Sequence, residues 1–164
     1  MTYSDFTHTL QNQIPRITRQ RQLRLALGIC KELFFEYQKF YEVYQWGNPD
    51  LLLDAISICE KASNSNAEIS KIQEVLQKLD SVTPDMDDFG SDVLASYALN
   101  AANSVYETLE FLTDSDSVHI LNIATYYTDT IDFKIQEIKR LTLEEIDAHP
   151  LTIETRTFLL EQTK

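Results

Sequence analysis

Asp85, Asp87, Asp88 and Asp92 stand within one short stretch, and carboxylates so closely spaced can hold Ca²⁺ or Mg²⁺ through hard oxygen ligands. Read as an EF-hand loop opening at Asp85, the stretch puts Gly90 at the sixth position, but Phe89 takes the fifth and Ser96 the bidentate twelfth. The competing reading is structural: acids just before a helix favour its positive end, and Ser91 or Asp92 can cap it. A carboxylate metal centre in a helical bundle needs paired Glu-x-x-His motifs and further inward glutamates. The sequence offers one partial match, Asp116-Ser117-Val118-His119. Glu145 and His149 are four apart, but His149 precedes Pro150 at a helix end, and His8 stands alone. The metal-ligand candidates are therefore Asp87, Asp88, Asp116 and His119.

Other chemistries have less support. There is no G-x-S-x-G elbow, and neither Cys30 nor Cys59 has a neighbouring histidine to lower its pKa. Three scattered glycines form no phosphate-cradling loop, so no cofactor is expected. The cysteines lack C-x-x-C spacing and sit in apolar surroundings, where buried free thiols are the default.

Residues able to bind a protein are easier to find. Phe34, Phe35, Tyr37, Phe40, Tyr41, Tyr44 and Trp46 crowd one segment. Tyr37, Phe40, Tyr41 and Tyr44 follow the three-and-four spacing of a packed face, whereas Phe35 and Val43 point elsewhere. Leu25 and Ile29 lie on a further side, so this helix is either covered on two faces by its own fold or exposes an apolar strip. Arg16 and Arg24 belong to a basic segment: residues 1–31 hold Arg16, Arg19, Arg21, Arg24 and Lys31 against Asp5 alone. Such a segment fits the acidic body of its own fold, another copy, or an anionic ligand, and the intramolecular fit is preferred. The protein-binding candidates are Arg16, Arg24, Phe35 and Val43.

The elements that would position these groups are helical. Glycine and proline number only three and four, and apolar residues recur at helical rather than alternating spacing. Leu23, Ala26, Leu27, Cys30, Leu33, Phe34, Tyr37, Phe40, Tyr41 and Tyr44 predict a long central helix over about 17–45. Gly47 suits a left-handed cap, Asn48 an N-cap and Pro49 the first position of a helix over 49–62, packed back antiparallel. In that hairpin Cys30 and Cys59 differ in level by roughly 8 Å, which does not favour a disulfide. After the polar break Asn64-Ser65-Asn66, a short helix carries Ile69, Ile72, Leu76 and Leu79 towards Pro84. Two long helices follow, over 91–113 with an alanine-rich face and then to about Leu141 with Ile120, Ala124, Tyr127, Ile131, Ile135 and Ile138 in one stripe. Thr142 caps a short helix, and a last one runs over 151–162. The expectation is a single-domain all-α bundle of about six to eight antiparallel helices around a long central one.

Composition limits function. A hydrophobic share of 43% with 24% charged residues argues for a packed globule rather than disorder. A formal net charge of -12 would repel a phosphate backbone, so nucleic acid is not expected as a partner. No window approaches an apolar membrane span, and MTYSDFTHTL lacks a basic-then-apolar leader, so a cytoplasmic location is expected.

Cys30-Lys31-Glu32-Leu33 with Tyr37 and Phe40, Leu53-Asp54-Ala55, Pro84 with Asp87-Asp88-Phe89, and His149-Pro150-Leu151 with Glu154 occur in this order along the chain. Together they resemble the YjaG-like family of uncharacterised bacterial helical proteins, DUF416. The chain departs from that pattern after Leu159-Leu160-Glu161-Gln162, where other members continue into a charged segment. The resemblance implies an all-α bundle in a bacterial cytoplasm and brings no catalytic residues with it. Function at this level is a choice between a non-enzymatic acidic interaction module, binding itself or a basic protein, and a bundle enzyme or metal carrier using carboxylate and histidine ligands.

Overall fold

The computed structural model describes residues 1–62 and 69–164, and in them eight α-helices and no strand. The Asn64-Ser65-Asn66 break and the Ile69 side chain lie outside the described residues. Helix α1, Tyr3–Gln13, precedes the first helix expected from sequence. Thr2 caps it by accepting from the Asp5 amide, and Phe6 and Leu10, one turn apart, bury its inner face. Two apolar positions in a polar segment are too few to show as periodicity. A 3-10 turn at Ile14–Arg16 leads to α2, Arg19–Tyr44, which Thr18 caps through the Arg21 amide.

Helix α2 is buried over more than half its circumference. α3 (Pro49–Ala62), α5 (Val93–Asp114) and α6 (Val118–Ile138) all pack on it. Leu23, Leu33, Tyr37 and Phe40 are buried as their spacing predicts, and Leu25 and Ile29 are buried too, so the fold itself covers both faces. Gln45, rather than Gly47, takes the left-handed cap position, with φ 50° and its N–H on Tyr41 O. Gly47 is needed for another reason. It has φ +94°, and a Cβ there would overlap Tyr37 Oη, which donates to Val82 O at 2.5 Å and accepts from the Asn48 amide at 3.1 Å. Asn48 caps α3 through the Leu51 amide. Cys30 and Cys59 are free and buried, and burial pushes the Cys30 thiol up to about 12.

Helix α4, Ile69–Asp80, buries Ile72, Val75 and Leu79. The 3-10 turn that follows, Met86–Phe89, sets the Phe89 ring 4.9 to 5.3 Å from those of Phe40, Tyr44 and Trp46, so the aromatic crowding of α2 serves packing.

Helix α5 shares the centre with α2. Ala95, Ala98, Ala101 and Ala102 are fully buried and allow close approach. Ser104 and Thr108 are buried as well, each returning its hydroxyl to a carbonyl one turn back. α6 runs antiparallel to α5, joined by Asn100 Nδ2 to Thr130 Oγ1 at 3.0 Å and Tyr97 Oη to Glu137 Oε2 at 2.7 Å. The predicted α6 stripe is buried at Ile120, Ala124, Tyr127 and Ile135, half-buried at Ile131, and fails at Ile138, which is 89% exposed; the helix ends there instead of at Leu141. A capping box between Thr142 and Glu145 opens α7, Leu143–Asp147, and His149 caps α8, Pro150–Gln162, by accepting the Leu151 N–H at Nδ1. α8 packs on α6 and α1. No described helix is long and apolar enough to cross a membrane.

Candidate binding site at the α7–α8 corner

The carboxylates singled out by the sequence are spread over both ends of α5. Asp85 accepts the Asp87 amide at 3.0 Å, Asp92 accepts the Leu94 amide at 2.7 Å, and Asp87 and Asp88 are exposed on the 3-10 turn at the start of α5. Asp116 and His119 sit past its other end, about 30 Å away along a helix of this length. Asp116 accepts the Val118 amide at 2.9 Å. His119 bridges two carboxylates, with Nδ1 2.5 Å from Glu107 Oε2 and Nε2 3.1 Å from Asp114 Oδ2. Burial lowers its pKa, but those two hydrogen bonds and charges outweigh burial and hold the imidazole above the usual histidine range. Among the described residues no group of three His, Cys, Asp or Glu side chains could hold a metal ion.

The basic segment is used inside the molecule, mainly at helix ends. Arg19 donates to Ser115 Oγ at 2.8 Å and Leu112 O at 3.4 Å, and Arg21 donates to Lys164 O at 2.8 Å and Gln162 O at 3.0 Å. Both satisfy the orphan carbonyls at the ends of α5 and α8, where the helix dipole favours a cation. Lys31 pairs with Glu60. Arg16 and Arg24 are exposed, as are Phe35 and Val43 at 60% and 62%.

What the fold assembles, unannounced by any motif, is a cavity of about 520 Å³ where the N-terminus, α7 and α8 meet. Arg156 lies in its wall, 5% exposed. Its Nη1 donates to Asp147 Oδ1 at 2.7 Å and to Met1 O at 2.9 Å, while its guanidinium carbon lies 5.5 Å from the Phe6 ring centre and 5.7 Å from that of Tyr3. Asp132 on α6 feels this charge from the far side, yet burial and then Asp129 and Asp147 keep its carboxyl above the usual range; burial does the same for Asp129. Thr152 and Asp132 line a seam between α6 and α8 that has no room for a water molecule, and the Thr152 hydroxyl is buried there without a partner among the described residues.

The exposed residues of the cavity lining are Met1, Thr2, Glu144, Ala148, Ile153 and Thr157. Around it the end of α6 and the starts of α7 and α8 expose Ile138, Leu143, Leu151 and Ile153 with Glu137, Glu144, Glu145 and Glu154, and Lys139 and Arg140 are exposed between α6 and α7. Helix α8 has no apolar periodicity that would have marked it as a packed element. In the sequence this corner shows only as the helix-start signals at Thr142 and His149-Pro150 and as the Leu151 and Glu154 segment that carries part of the family resemblance.

Comparison with known proteins bears on this fold. No curated protein matches the chain. A crystal structure of a DUF416 family protein from Shewanella baltica OS155 superposes with a TM-score of 0.80 at 23% sequence identity, over 92% of this chain and 81% of that one, and so shares the fold. The family model described as "Protein of unknown function (DUF416)" matches residues 9–162. That match spans α2 to α8 whole, with the last turn of α1, so this chain belongs to the DUF416 family.

Proposed function

We propose that this protein is a non-enzymatic interaction module that docks a basic, amphipathic segment of a partner protein at the α7–α8 corner. The observation that carries the reading is the exposure there of the apolar side chains Ile138, Leu143, Leu151 and Ile153 among the carboxylates Glu137, Glu144, Glu145 and Glu154, which outnumber the exposed cations Lys139 and Arg140. Apolar side chains supply the contact area, and the carboxylates select a cationic partner and steer its approach. The net charge of -12 acts the same way over longer range and opposes pairing of two like-charged copies. Lys139 offsets Glu145 at 3.8 Å, while Arg19 and Arg21 are engaged elsewhere, on Ser115 Oγ and Leu112 O and on Lys164 O and Gln162 O. Phe35 and Val43 offer a second exposed apolar surface on the C-terminal half of α2, with Arg16 and Arg24 towards its other end. The metal-carrier alternative has its ligand candidates at opposite ends of α5.

A labelled amphipathic helix of leucine and lysine tests the reading by fluorescence anisotropy, beside the same helix with glutamate in place of lysine. Only the basic helix is expected to bind, more weakly as salt rises, and the Leu143→Ser/Ile153→Ser double variant is expected to lose binding with its melting temperature retained. Equal binding of both helices, or full binding by the double variant, overturns the proposal. Loss of binding on Phe35→Ser instead would move the site to α2.

A further inference from the structure

We infer that the cavity beside Arg156 receives a lysine side chain of that partner; the inference rests on the docking reading and assigns the group that anchors it. The space, about 520 Å³, is within the usual range of ligand pockets, about 300–1,000 Å³, and opens amid the exposed apolar side chains of the corner. Its wall combines apolar surface from Ala148, Ile153 and Leu160 with the carboxylates Glu144 and Asp147, three apart on α7 and therefore on one face. That is the chemistry a lysine needs: a surface for four methylenes and carboxylates for the ammonium at its tip. Arg156 does not turn the cavity into an anion site. Arg156 and the amino group of Met1 in the same wall face Glu144 and Asp147, and Asp132 behind Arg156 leaves the carboxylates one in excess. Arg156 acts as a positioning residue, engaging Asp147 Oδ1 and leaving Oδ2 without a hydrogen-bond partner among the described residues. Glu144 likewise has none among them, and a compact ammonium with three donors can span the two carboxylates.

Amide chemical shifts followed during titration of the full chain with Nα-acetyl-lysine methylamide test this, with Nα-acetyl-norleucine methylamide as the probe lacking the ammonium. The lysine probe alone is expected to shift the amides of Glu144, Asp147, Ala148 and Ile153. Two exposed substitutions separate charge from shape: Glu144→Gln should weaken the probe about two- to fivefold, the range of an exposed ion pair, and Ala148→Phe, which fills the mouth, should abolish the shifts. Melting curves check that both variants are folded. Equal shifts from the norleucine probe, or unchanged lysine shifts in Ala148→Phe, overturn the inference. If the basic helix binds both variants as tightly as the parent, the lysine anchor is wrong while the docking reading survives. If the lysine probe shifts the cavity and the basic helix does not bind, the cavity assignment survives and the docking reading falls.

Discussion

His119 owes its place to two carboxylates at once, and that fixes how it titrates. Only the imidazolium can donate from both Nδ1, towards Glu107, and Nε2, towards Asp114; the neutral ring must set a lone pair against one of the carboxylates. With the folded pKa raised, this clamp between α5 and α6 stabilises fully below the unfolded histidine value of about 6.5, and its contribution is lost as pH rises through the folded value. The free energy of urea unfolding is therefore expected to fall from about pH 6.5 upwards, and His119→Asn is expected to flatten that slope. Above about pH 8.5 the buried thiols add a loss of their own, since burial raises Cys30 and Cys59 and unfolding releases their protons. The difference between parent and variant, taken below that point, isolates the histidine. A parent curve as flat as that of His119→Asn would mean that the clamp does not form in solution.

Helix α2 shows how one element divides into core and surface. Leu33 is 2% exposed and packs within the main core, whereas Arg24 lies on the solvent-facing arc. Leu33→Ala is expected to cost about 2–5 kcal/mol, the range for a leucine truncated in a core that cannot fully collapse, and Arg24→Ala to stay within about 0.5 kcal/mol. Denaturant midpoints of the two variants check the contrast, and equal small shifts would reject the register of α2. The same helix buries Glu36, 6% exposed, where Lys134 Nζ at 2.7 Å and Lys39 Nζ at 3.1 Å meet one carboxylate oxygen. Burial alone would raise that carboxyl; the two lysines outweigh it and hold it below the usual range. No pattern local to α2 marks Glu36 as buried, because Lys134 comes from α6 and only packing brings it there.

For the whole molecule the dominant electrostatic quantity is the excess of carboxylates. A net charge of -12 on one compact body repels itself, and salt that shortens the Debye length to about 8 Å screens this repulsion more than it weakens the few exposed ion pairs. Melting temperature is expected to rise from low to physiological ionic strength, by about 2–4 °C per kcal/mol of repulsion relieved. A flat or falling dependence would show that the acidic surface is paired more fully than its charge suggests.

What the sequence determined by itself is local or periodic. The three-and-four spacing through Leu33, Tyr37 and Phe40 dictates a buried helix face, Asn48-Pro49 and Thr142 with Glu145 dictate helix starts, and the composition fixes a net charge of -12. These follow because helix geometry and capping act over a few residues, within reach of the chain itself. The tertiary structure alone decided what depends on distant segments. It placed Arg156 of α8 against Asp147 and the Met1 carbonyl, kept Asp87 and Asp88 apart from Asp116 and His119, and turned Arg19 and Arg21 towards helix ends far along the chain. Those outcomes depend on which helix packs beside which. The packing is governed by how apolar faces fit together in space, and no single segment carries that information.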